Sequence, residues 1–366
     1  MYNEIVDYQE YGRKNLWIDC RKYTIIKIGQ YIFFCVFGRC ADLFLTPAKC
    51  HSSFRYSFDS GKGTNNSLST IISNSNVLSV RLNFVMRTEL HKIYHTMKML
   101  FDTRKINALW FESRNWGDAL NPVLIQHLSG LKPFLIREYT INPKNEPIYT
   151  VIGSFLQTPL LTEQMLKNTI IWGTGFISES GRLHGTPKKI CAVRGPLTRE
   201  NILKTGLQCP EVYGDPALLY PRIYKPTIPK KYKLGIIPHY RDKGNNLLKN
   251  FKNVPEITII DIEGPINSVV DKIVSCTYIA SSSLHGIIAA DAYGVPSVWI
   301  KLSDNVIGEG FKFRDYFGSV GRSETEPLVV GPETMADDVY DTFYNYKIDI
   351  DLNELLDVCP FNNVKI

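Results

Sequence analysis

The residue types best suited to chemistry stand together in the last third of the chain, as Ser-Ser-Ser-Leu-His-Gly at 281–286. The pattern predicts a strand end that turns directly into a helix. The first backbone N–H groups of that helix would form an anion cradle with the hydroxyls of Ser281, Ser282 and Ser283. His285 would fall in the first helical turn, where it could transfer a proton. The alternative is that the serines only cap the helix and His285 is an ordinary helix residue.

Two further candidates follow apolar runs that are predicted to be strands. Arg194 comes directly after the run Ile190–Val193, and its planar guanidinium suits a carboxylate or a phosphate. His239 closely follows the run Lys233–Ile237 and is expected in a cleft. The alternatives are a structural role for Arg194 at the start of the next helix and a mere lining role for His239.

A polar turn after the first predicted strand supplies a third group of candidates, Asn115, Gly117, Asp118 and Asn121. From the residues alone, Asp118 is a plausible cap for the following helix, with Gly117 supplying the turn. The sequence contains no Walker lysine motif, GxGxxG, GxSxG or HExxH, which disfavours the enzyme classes that depend on them.

The secondary-structure elements that position these candidates can be predicted from the sequence pattern. From Lys105 onward, short apolar runs alternate with helix-length amphipathic segments. This alternation predicts an α/β protein with parallel sheet. Prolines at 221, 226 and 229 predict a linker between a half at 105–224 and a half at 225–330. Two Rossmann-like halves would face a cleft at the carboxyl ends of their strands. Residues 331–366 are expected to form a helical tail, with a last helix over 334–345.

The charge distribution separates the N-terminal segment from the rest of the chain. Residues 1–105 carry 15 basic and 8 acidic residues, whereas residues 106–366 carry 27 and 28. A nucleic-acid-binding protein usually carries its basic residues on a folded domain, so nucleic acid is not an expected partner. The hydrophobic content of 44% is typical of a soluble globular protein. An anionic membrane surface could attract the basic segment as a peripheral contact.

Residues 1–104 have poor periodicity and give no predictable fold. Their most apolar run, Ile28–Gly38, is too short for a membrane-spanning helix, which needs about 20 residues. We expect the segment to be dispensable for catalysis, and the competing hypothesis is a peripheral membrane anchor. The cysteines are expected to be reduced thiols. A zinc site is disfavoured, because no Cys-x-x-Cys spacing occurs among its candidate ligands, Cys35, Cys40, Cys50 and His51.

Six short motifs occur in a fixed order along the chain: Asn-Trp-Gly-Asp-Ala-Leu-Asn at 115–121, Gly-Thr-Gly at 173–175, Ala-Val-Arg-Gly-Pro at 192–196, Gly-Asp-Pro at 214–216, Ile-Pro-His-Tyr at 237–240 and Ser-Ser-Ser-Leu-His-Gly at 281–286. Taken together they resemble the polysaccharide pyruvyl transferase family, and most closely its exopolysaccharide ketal pyruvate transferases. The resemblance spans about residues 105–325. Its strength is the order of the motifs, since each piece is short.

The resemblance implies a two-domain, glycosyltransferase-B-like fold and a specific reaction. Pyruvate would pass from phosphoenolpyruvate to a sugar of a surface or exopolysaccharide repeat unit, carried by a lipid-linked oligosaccharide or polysaccharide. Two sugar hydroxyls would become bridged as a cyclic ketal, and phosphate would leave. The scheme requires neither a metal nor another cofactor. The expected location is the cytoplasm, at the inner face of the cytoplasmic membrane.

The resemblance also implies roles for individual residues. Arg194 would hold the anionic groups of the donor and His285 would be the acid/base. Asp118, from the opposite half of the cleft, is our candidate base for the incoming sugar hydroxyl. Some family members carry Arg where this chain has Ser283, so donor binding here would use another cation, and Lys312 is our candidate. The substrate-binding residues are expected to include Asn115, His239 and the three serines.

Two rival functions remain open at the level of sequence. A glycosyltransferase on the same architecture would use a nucleotide sugar and release a nucleotide instead of phosphate. A non-catalytic glycan-binding protein would not need His285 or Arg194.

Overall fold

The computed structural model describes residues 105–137, 142 and 145–361, together with four strands among the first 41 residues. The chain divides into two compact units, Met1–Ser75 and Asn76–Ile366. All the candidate site residues belong to the second unit.

The N-terminal unit contains a four-stranded antiparallel sheet. Its strands pair in chain order, as β1 (Leu16–Cys20), β2 (Tyr23–Ile28), β3 (Tyr31–Val36) and β4 (Arg39–Ala41). The apolar run at 28–38 therefore supplies β3, a strand that the sequence analysis did not predict. The zinc candidates Cys50 and His51 lie outside the described residues.

The first half of the larger unit is built on a five-stranded parallel sheet. Its strands are β5 (Lys105–Leu109), β6 (Lys132–Leu135), β7 (Ile148–Thr150), β8 (Thr169–Trp172) and β9 (Lys189–Ala192). Their spatial order is β6-β5-β7-β8-β9. The connecting helices are α1 (Trp116–Ser129), α2 (Glu163–Leu166), α3 (Pro196–Leu203) and a 3₁₀ helix at Pro216–Arg222.

The second half repeats this plan. Its parallel strands are β10 (Tyr232–Ile237), β11 (Ile257–Ile259), β12 (Cys276–Ser281), β13 (Ser297–Lys301) and β14 (Leu328–Val329), in the spatial order β11-β10-β12-β13-β14. Its α-helices are α4 (Ile266–Val274), α5 (Leu284–Ala292) and α6 (Phe311–Ser319), and short 3₁₀ helices lie at Tyr240–Asp242 and Asn246–Asn250.

Both sheets place their first strand between the second and the third. The winding direction therefore reverses between β5 and β7 in one half and between β10 and β12 in the other. In open parallel sheets, ligands bind outside the carboxyl ends of the strands at such a reversal. The prediction of an α/β protein with two parallel-sheet halves is confirmed, and the candidate residues follow these strands.

The helix that follows β5 illustrates how local sequence positions the site. Asn115 caps α1, since its side-chain oxygen accepts a hydrogen bond from the Gly117 N–H at 3.3 Å. Asp118 therefore lies inside the first turn and is not the cap. The helix ends at Gly130 in the left-handed conformation, with φ of 70°. At 14 residues α1 is the longest described helix, and no described helix has the length and apolarity to cross a membrane.

The two halves share one hydrophobic core. Leu120 and Leu124 of α1 belong to the same buried cluster as Ile287 and Ile288 of α5. A backbone hydrogen bond of 2.9 Å from Trp116 N–H to the Ile262 carbonyl also joins the halves. The cleft between the two sheets is therefore held by packing as well as by chain connectivity.

The C-terminal tail returns to the first half. It carries α7 (Ala336–Tyr340), which is shorter than the helix predicted over 334–345, and α8 (Leu352–Asp357). The indole N–H of Trp172 donates to the Leu355 carbonyl at 2.9 Å, and Phe361 packs against the same indole ring. The tail thus covers the β8 side of the first sheet.

Candidate active site

Asn115 follows the strand at the winding reversal of the first sheet, and His285 follows the strand at that of the second. The two side chains are in contact. His285 lies in the first turn of α5, and its Nδ1 is 2.7 Å from the side-chain oxygen of Asn115. A Cβ atom at Gly117 would lie 2.4 Å from the imidazole ring, so only glycine allows this close approach. The structure therefore brings together a candidate from each half of the chain.

The hydrogen bond to Asn115 determines the tautomer of His285. The Asn115 oxygen also accepts the Gly117 N–H, so Nδ1 of His285 must donate its proton to that oxygen. Nε2 then carries a lone pair, and no described group bonds to it. Burial, followed by the positive charges of Lys312 and Arg194, lowers the pKa of His285 to about 3. The ring is neutral at physiological pH and offers Nε2 as a base.

His239 has the opposite tautomer. Its Nδ1 accepts the Arg241 N–H at 3.3 Å, so the ring proton lies on Nε2. Burial, followed by the charges of Lys312 and Arg241, lowers the pKa of His239 to about 3. One neutral imidazole in the cleft can therefore accept a hydrogen bond at Nε2, and the other can donate one.

The three serines do not contribute equally to the helix start. Ser281 uses its hydroxyl internally, donating to the carbonyls of Ile237 and Ser283 and accepting the Ser283 N–H. Ser282 accepts the His239 N–H at 2.8 Å and keeps its own proton free. Ser283 has no hydrogen bond to its hydroxyl among the described residues. The N–H groups of Leu284 and His285 also lack acceptors in the described part of the chain, which leaves an anion-binding helix start.

Lys312 is a buried cation without a partner. It lies in the first turn of α6 and is 9% exposed, yet its ammonium makes no hydrogen bond or ion pair with any described residue. Burial, followed by the charges of Arg194 and Arg241, lowers its pKa to about 8 even though Asp118 opposes the shift. An unpaired buried ammonium is costly, so Lys312 suits an anionic ligand.

Asp118 contributes a carboxyl group to this cleft. Its Oδ2 accepts the Ser113 hydroxyl at 2.6 Å, and no described group bonds to Oδ1. Burial raises its pKa to about 6, although Ser113 and the charge of Lys312 favour the ionised form. Asp118 can therefore exchange a proton near neutral pH.

Arg194 has different surroundings from those expected. Its Nε and Nη2 donate to the Asp315 carboxylate at 2.9 and 2.8 Å, and its Nη1 donates to the Ser154 hydroxyl at 2.7 Å. Nη2 also donates to the Phe176 carbonyl at 2.7 Å, and the side chain has no exposed surface. A bidentate grip on a donor would require this pair to break. The geometry favours a structural role, and donor binding by Arg194 stays a prediction.

Asp315 also binds the start of α3. Its oxygens accept the Thr198 N–H and the Thr198 hydroxyl, each at 2.7 Å. Since Asp315 belongs to α6, this carboxylate connects a helix of the second half to a strand end and a helix start of the first. Within α6, Asp315 and Lys312 are three residues apart and serve different neighbours.

The comparison with known families decides the classification. A model of the family described as polysaccharide pyruvyl transferase matches residues 62–304, well over half of the chain. The chain belongs to the polysaccharide pyruvyl transferase family. The match begins before Lys105, where the resemblance of the motifs starts, so it includes part of the segment that we expect to be dispensable. That dispensability stays a prediction.

Two relatives of this pyruvyl transferase family member are informative. The chain is 30% identical over 213 residues to uncharacterized protein L143 of Acanthamoeba polyphaga mimivirus, covering 57% of this chain and 71% of that protein. It is 29% identical over 197 residues to the succinoglycan biosynthesis protein ExoV of Rhizobium meliloti (strain 1021), covering 52% of this chain and 60% of that protein.

Sequence reasoning missed two acidic residues of this pyruvyl transferase site, Asp315 and Asp215. Asp315 lies three residues after Lys312, at the helical spacing that places both on one side of α6. Asp215 stands before Pro216, and an Asp followed by Pro is a usual start of a helical turn. Asp215 belongs to the Gly-Asp-Pro motif at 214–216, whereas Asp315 lies outside the six motifs.

A cavity of about 550 Å³ adjoins the site on the second half. Ser282 lies in its wall, as do the end of β13 and the loop that leads to α6. Its wall also carries three carboxylates and one lysine, Asp304, Glu309, Glu326 and Lys301. Among the described residues no group of three or more His, Cys, Asp or Glu side chains could hold a metal ion.

Proposed function

We propose that this protein transfers pyruvate from phosphoenolpyruvate to a sugar of a polysaccharide or of its lipid-linked repeat unit, forming a cyclic ketal and releasing phosphate. Family membership supports pyruvyl transfer to a polysaccharide, and ExoV is named for succinoglycan biosynthesis. The donor, the ketal and the acceptor's lipid carrier belong to the proposal. So do a glycosyltransferase-B-like fold and a cytoplasmic location at the membrane face.

The single observation that carries the proposal is the unpartnered, buried ammonium of Lys312 beside the open start of α5. Phosphoenolpyruvate presents a carboxylate and a phosphate, and such groups bind to cations and to helix N-termini. Among the cleft groups, Lys312, the N–H groups of Leu284 and His285, and Nε2–H of His239 all attract anions. A neutral ligand would leave Lys312 unpaired.

The proton balance of the proposed reaction assigns roles to two side chains. In the first step His285 Nε2 accepts the proton of the first sugar hydroxyl, whose oxygen bonds to C2 of the donor. Protonated Asp118 gives its proton to the methylene carbon, which becomes a methyl group. This assignment differs from the one expected from the sequence, in which Asp118 is the base for the incoming hydroxyl. Asp118 suits the acid, because a bound anion raises its pKa further above 6.

The second step restores both side chains. The bond from C2 to the phosphate oxygen breaks, and His285 returns its proton to the leaving phosphate. The second sugar hydroxyl bonds to C2 and gives its proton to Asp118. Atoms and charges balance, and Lys312 stabilises the phosphate throughout.

The acceptor needs its own space beside the donor. The cavity next to Ser282 carries more carboxylates than cations, so it disfavours an anionic donor and suits the hydroxyls of a neutral sugar. The acceptor would then reach the imidazole pair from this side. An anionic membrane surface and the basic N-terminal segment would bring a lipid-linked acceptor near the enzyme.

Incubation of the purified protein with phosphoenolpyruvate and membrane-derived lipid-linked glycan tests the proposal. We expect phosphate release together with a pyruvate ketal on the glycan, detected by mass spectrometry. His285→Ala should lose about 10²- to 10⁴-fold in turnover, as for other proton-transfer groups. His184→Ala, at an exposed histidine, is the matched control and should keep full turnover.

Two outcomes would contradict the proposed function. Release of a nucleoside diphosphate from a nucleotide sugar, with phosphoenolpyruvate unconsumed, would favour a glycosyltransferase. Full turnover in His285→Ala would remove the imidazole from the mechanism.

A further inference from the structure

Asp215 is a buried carboxyl group that the proposed mechanism does not use. It precedes the 3₁₀ helix at Pro216–Arg222 and has no exposed surface. Its Oδ1 accepts the Ala217 N–H at 3.0 Å, but its Oδ2 has no hydrogen-bond partner in the described part of the chain. A fully ionised carboxylate with one free buried oxygen is unfavourable.

Asp215 and Asp118 lie near the same backbone turn. A Cβ atom built on Gly153 would be 3.4 Å from Oδ1 of Asp118, and the Gly153 N–H is close enough to Asp215 to lower its pKa. The charge of Arg194 lowers the pKa of Asp215, but four of the five N–H groups of Arg194 bond to Asp315, Ser154 and a carbonyl. Asp215 therefore has no dedicated counter-ion.

We propose that Asp215 is a positioning residue for Asp118: it holds one proton behind Asp118, so that the two carboxyl groups together carry at most one negative charge when the donor binds. The effect of Asp215 on donor binding rests on the proposed function, whereas the retention of its proton is independent of that function. If Asp215 ionised, a second negative charge would stand beside Asp118 and weaken the binding of a donor that is itself an anion.

The titration of the neighbouring groups agrees with this arrangement. Burial raises the pKa of Asp215 to about 7, and the charge of Asp118 adds to the increase. Asp118 titrates near 6 and Lys312 near 8, while His239 and His285 stay neutral above pH 5. Near neutral pH the two carboxyl groups therefore titrate as a coupled pair that retains a proton, and the complete burial of Asp215 favours Asp215 as its carrier in the absence of donor.

Carboxyl NMR of the protein labelled with ¹³C at Asp Cγ tests the retained proton without any donor. We expect one aspartate to titrate near pH 7 in addition to Asp118. Asp215→Asn should remove that titration and keep the bond to Ala217 N–H, and Asp118→Asn should move it to lower pH. Asp242→Asn is the matched control, because Asp242 is also buried with an unpartnered Oδ2, and it should leave the titration in place.

Steady-state kinetics with phosphoenolpyruvate test the positioning role. In the wild type, kcat/KM for the donor should begin to fall near pH 6, where Asp118 loses the proton of the acid, and should then fall in two further steps, near pH 7 and near pH 8. Asp215→Asn should lose the step near pH 7 and keep the step that belongs to Lys312. A role in folding alone would lower the melting temperature and leave both steps.

The other outcomes of these experiments separate the retained proton, the positioning role and the proposed function. If no second aspartate of the wild-type protein titrates between pH 6 and 8, the proposal is wrong, even where Asp215→Asn fails to fold. If the titration is present but Asp215→Asn keeps both kinetic steps, the positioning role is wrong. If phosphoenolpyruvate is not turned over, the proposed function fails, and the NMR titration alone decides whether Asp215 holds the proton.

Discussion

Arg194 and Lys312 are both buried cations, and the charge of each lowers the pKa of His285. Arg194 directs four hydrogen bonds to Asp315, Ser154 and Phe176. Lys312 makes no hydrogen bond or ion pair among the described residues, and its ammonium makes a cation–π contact with the Phe313 ring, 5.7 Å from the centroid. A buried guanidinium that donates four of its five N–H groups to protein partners, a carboxylate among them, holds a structure together. A buried charge without partners indicates a ligand, because the protein alone does not compensate its burial.

The sequence alone does not show this difference between Arg194 and Lys312. Arg194 belongs to a motif that resembles the family and follows a strand, as a ligand-binding arginine would. Lys312 lies in a segment that the sequence analysis did not identify as a helix. Only the fold brings Asp315 to Arg194, across 121 residues of chain, and leaves Lys312 facing the cleft.

The largest expected effect is a loss of folding stability when the ion pair between Arg194 and Asp315 is broken. Asp315→Asn should lower the free energy of unfolding by about 3–5 kcal/mol, because it leaves a buried guanidinium without its counter-ion. Chemical denaturation measures this loss. Glu200→Gln breaks the exposed pair with Lys204 and is the control, with an expected loss of about 0.3–0.5 kcal/mol. Equal, small losses in both variants would contradict a structural role for the Arg194 pair.

Arg194→Lys should have an intermediate effect. Lysine keeps the charge but cannot reproduce the fork, so the loss of stability should be about 1–3 kcal/mol, the cost of leaving buried polar groups unpaired. The donor KM should change little. A rise of about tenfold in donor KM at an unchanged melting temperature would instead support the sequence-based expectation that Arg194 binds the donor.

The smallest expected effect is the pH dependence of kcat/KM for the donor, which tests the role of Lys312. The pKa of Lys312 lies near 8, so its positive charge is present below pH 8 and is lost above it. The value of kcat/KM for the donor should therefore fall more steeply above pH 8, by an additional factor of about ten per pH unit. Lys312→Arg keeps a cation at all these pH values and should remove this additional decline. An additional decline above pH 8 that persists in Lys312→Arg must come from another group.

The sequence predicted most of the larger unit. Alternating apolar runs predicted the two parallel halves, and the position of candidates after strands predicted that Asn115, Asp118, His239 and His285 would share one cleft. The interpretation of His285 as a proton-transfer residue stays a prediction. Its neutral state depends on burial and on the charges of Lys312 and Arg194, and its tautomer depends on Asn115, 170 residues away. No local pattern contains these contacts.

Other parts of the fold could not be predicted for physical reasons. α6 has aromatic and charged residues on most of its faces, since it packs between both halves, and such a helix lacks a clear apolar stripe. The N-terminal sheet has short strands separated by two residues, which give little periodic signal. The partner of a buried charge depends on tertiary contacts, as Asp315 and Asp215 illustrate.

Binding of phosphoenolpyruvate, measured by isothermal titration calorimetry without acceptor, tests the central claim most directly. Lys312→Met should weaken donor binding by about 10- to 150-fold, the equivalent of about 1.5–3 kcal/mol for a lost charged hydrogen bond, without lowering the melting temperature. Arg194→Lys, measured beside it, should keep the donor affinity of the wild type and lose stability. Wild-type donor affinity in Lys312→Met would contradict the account.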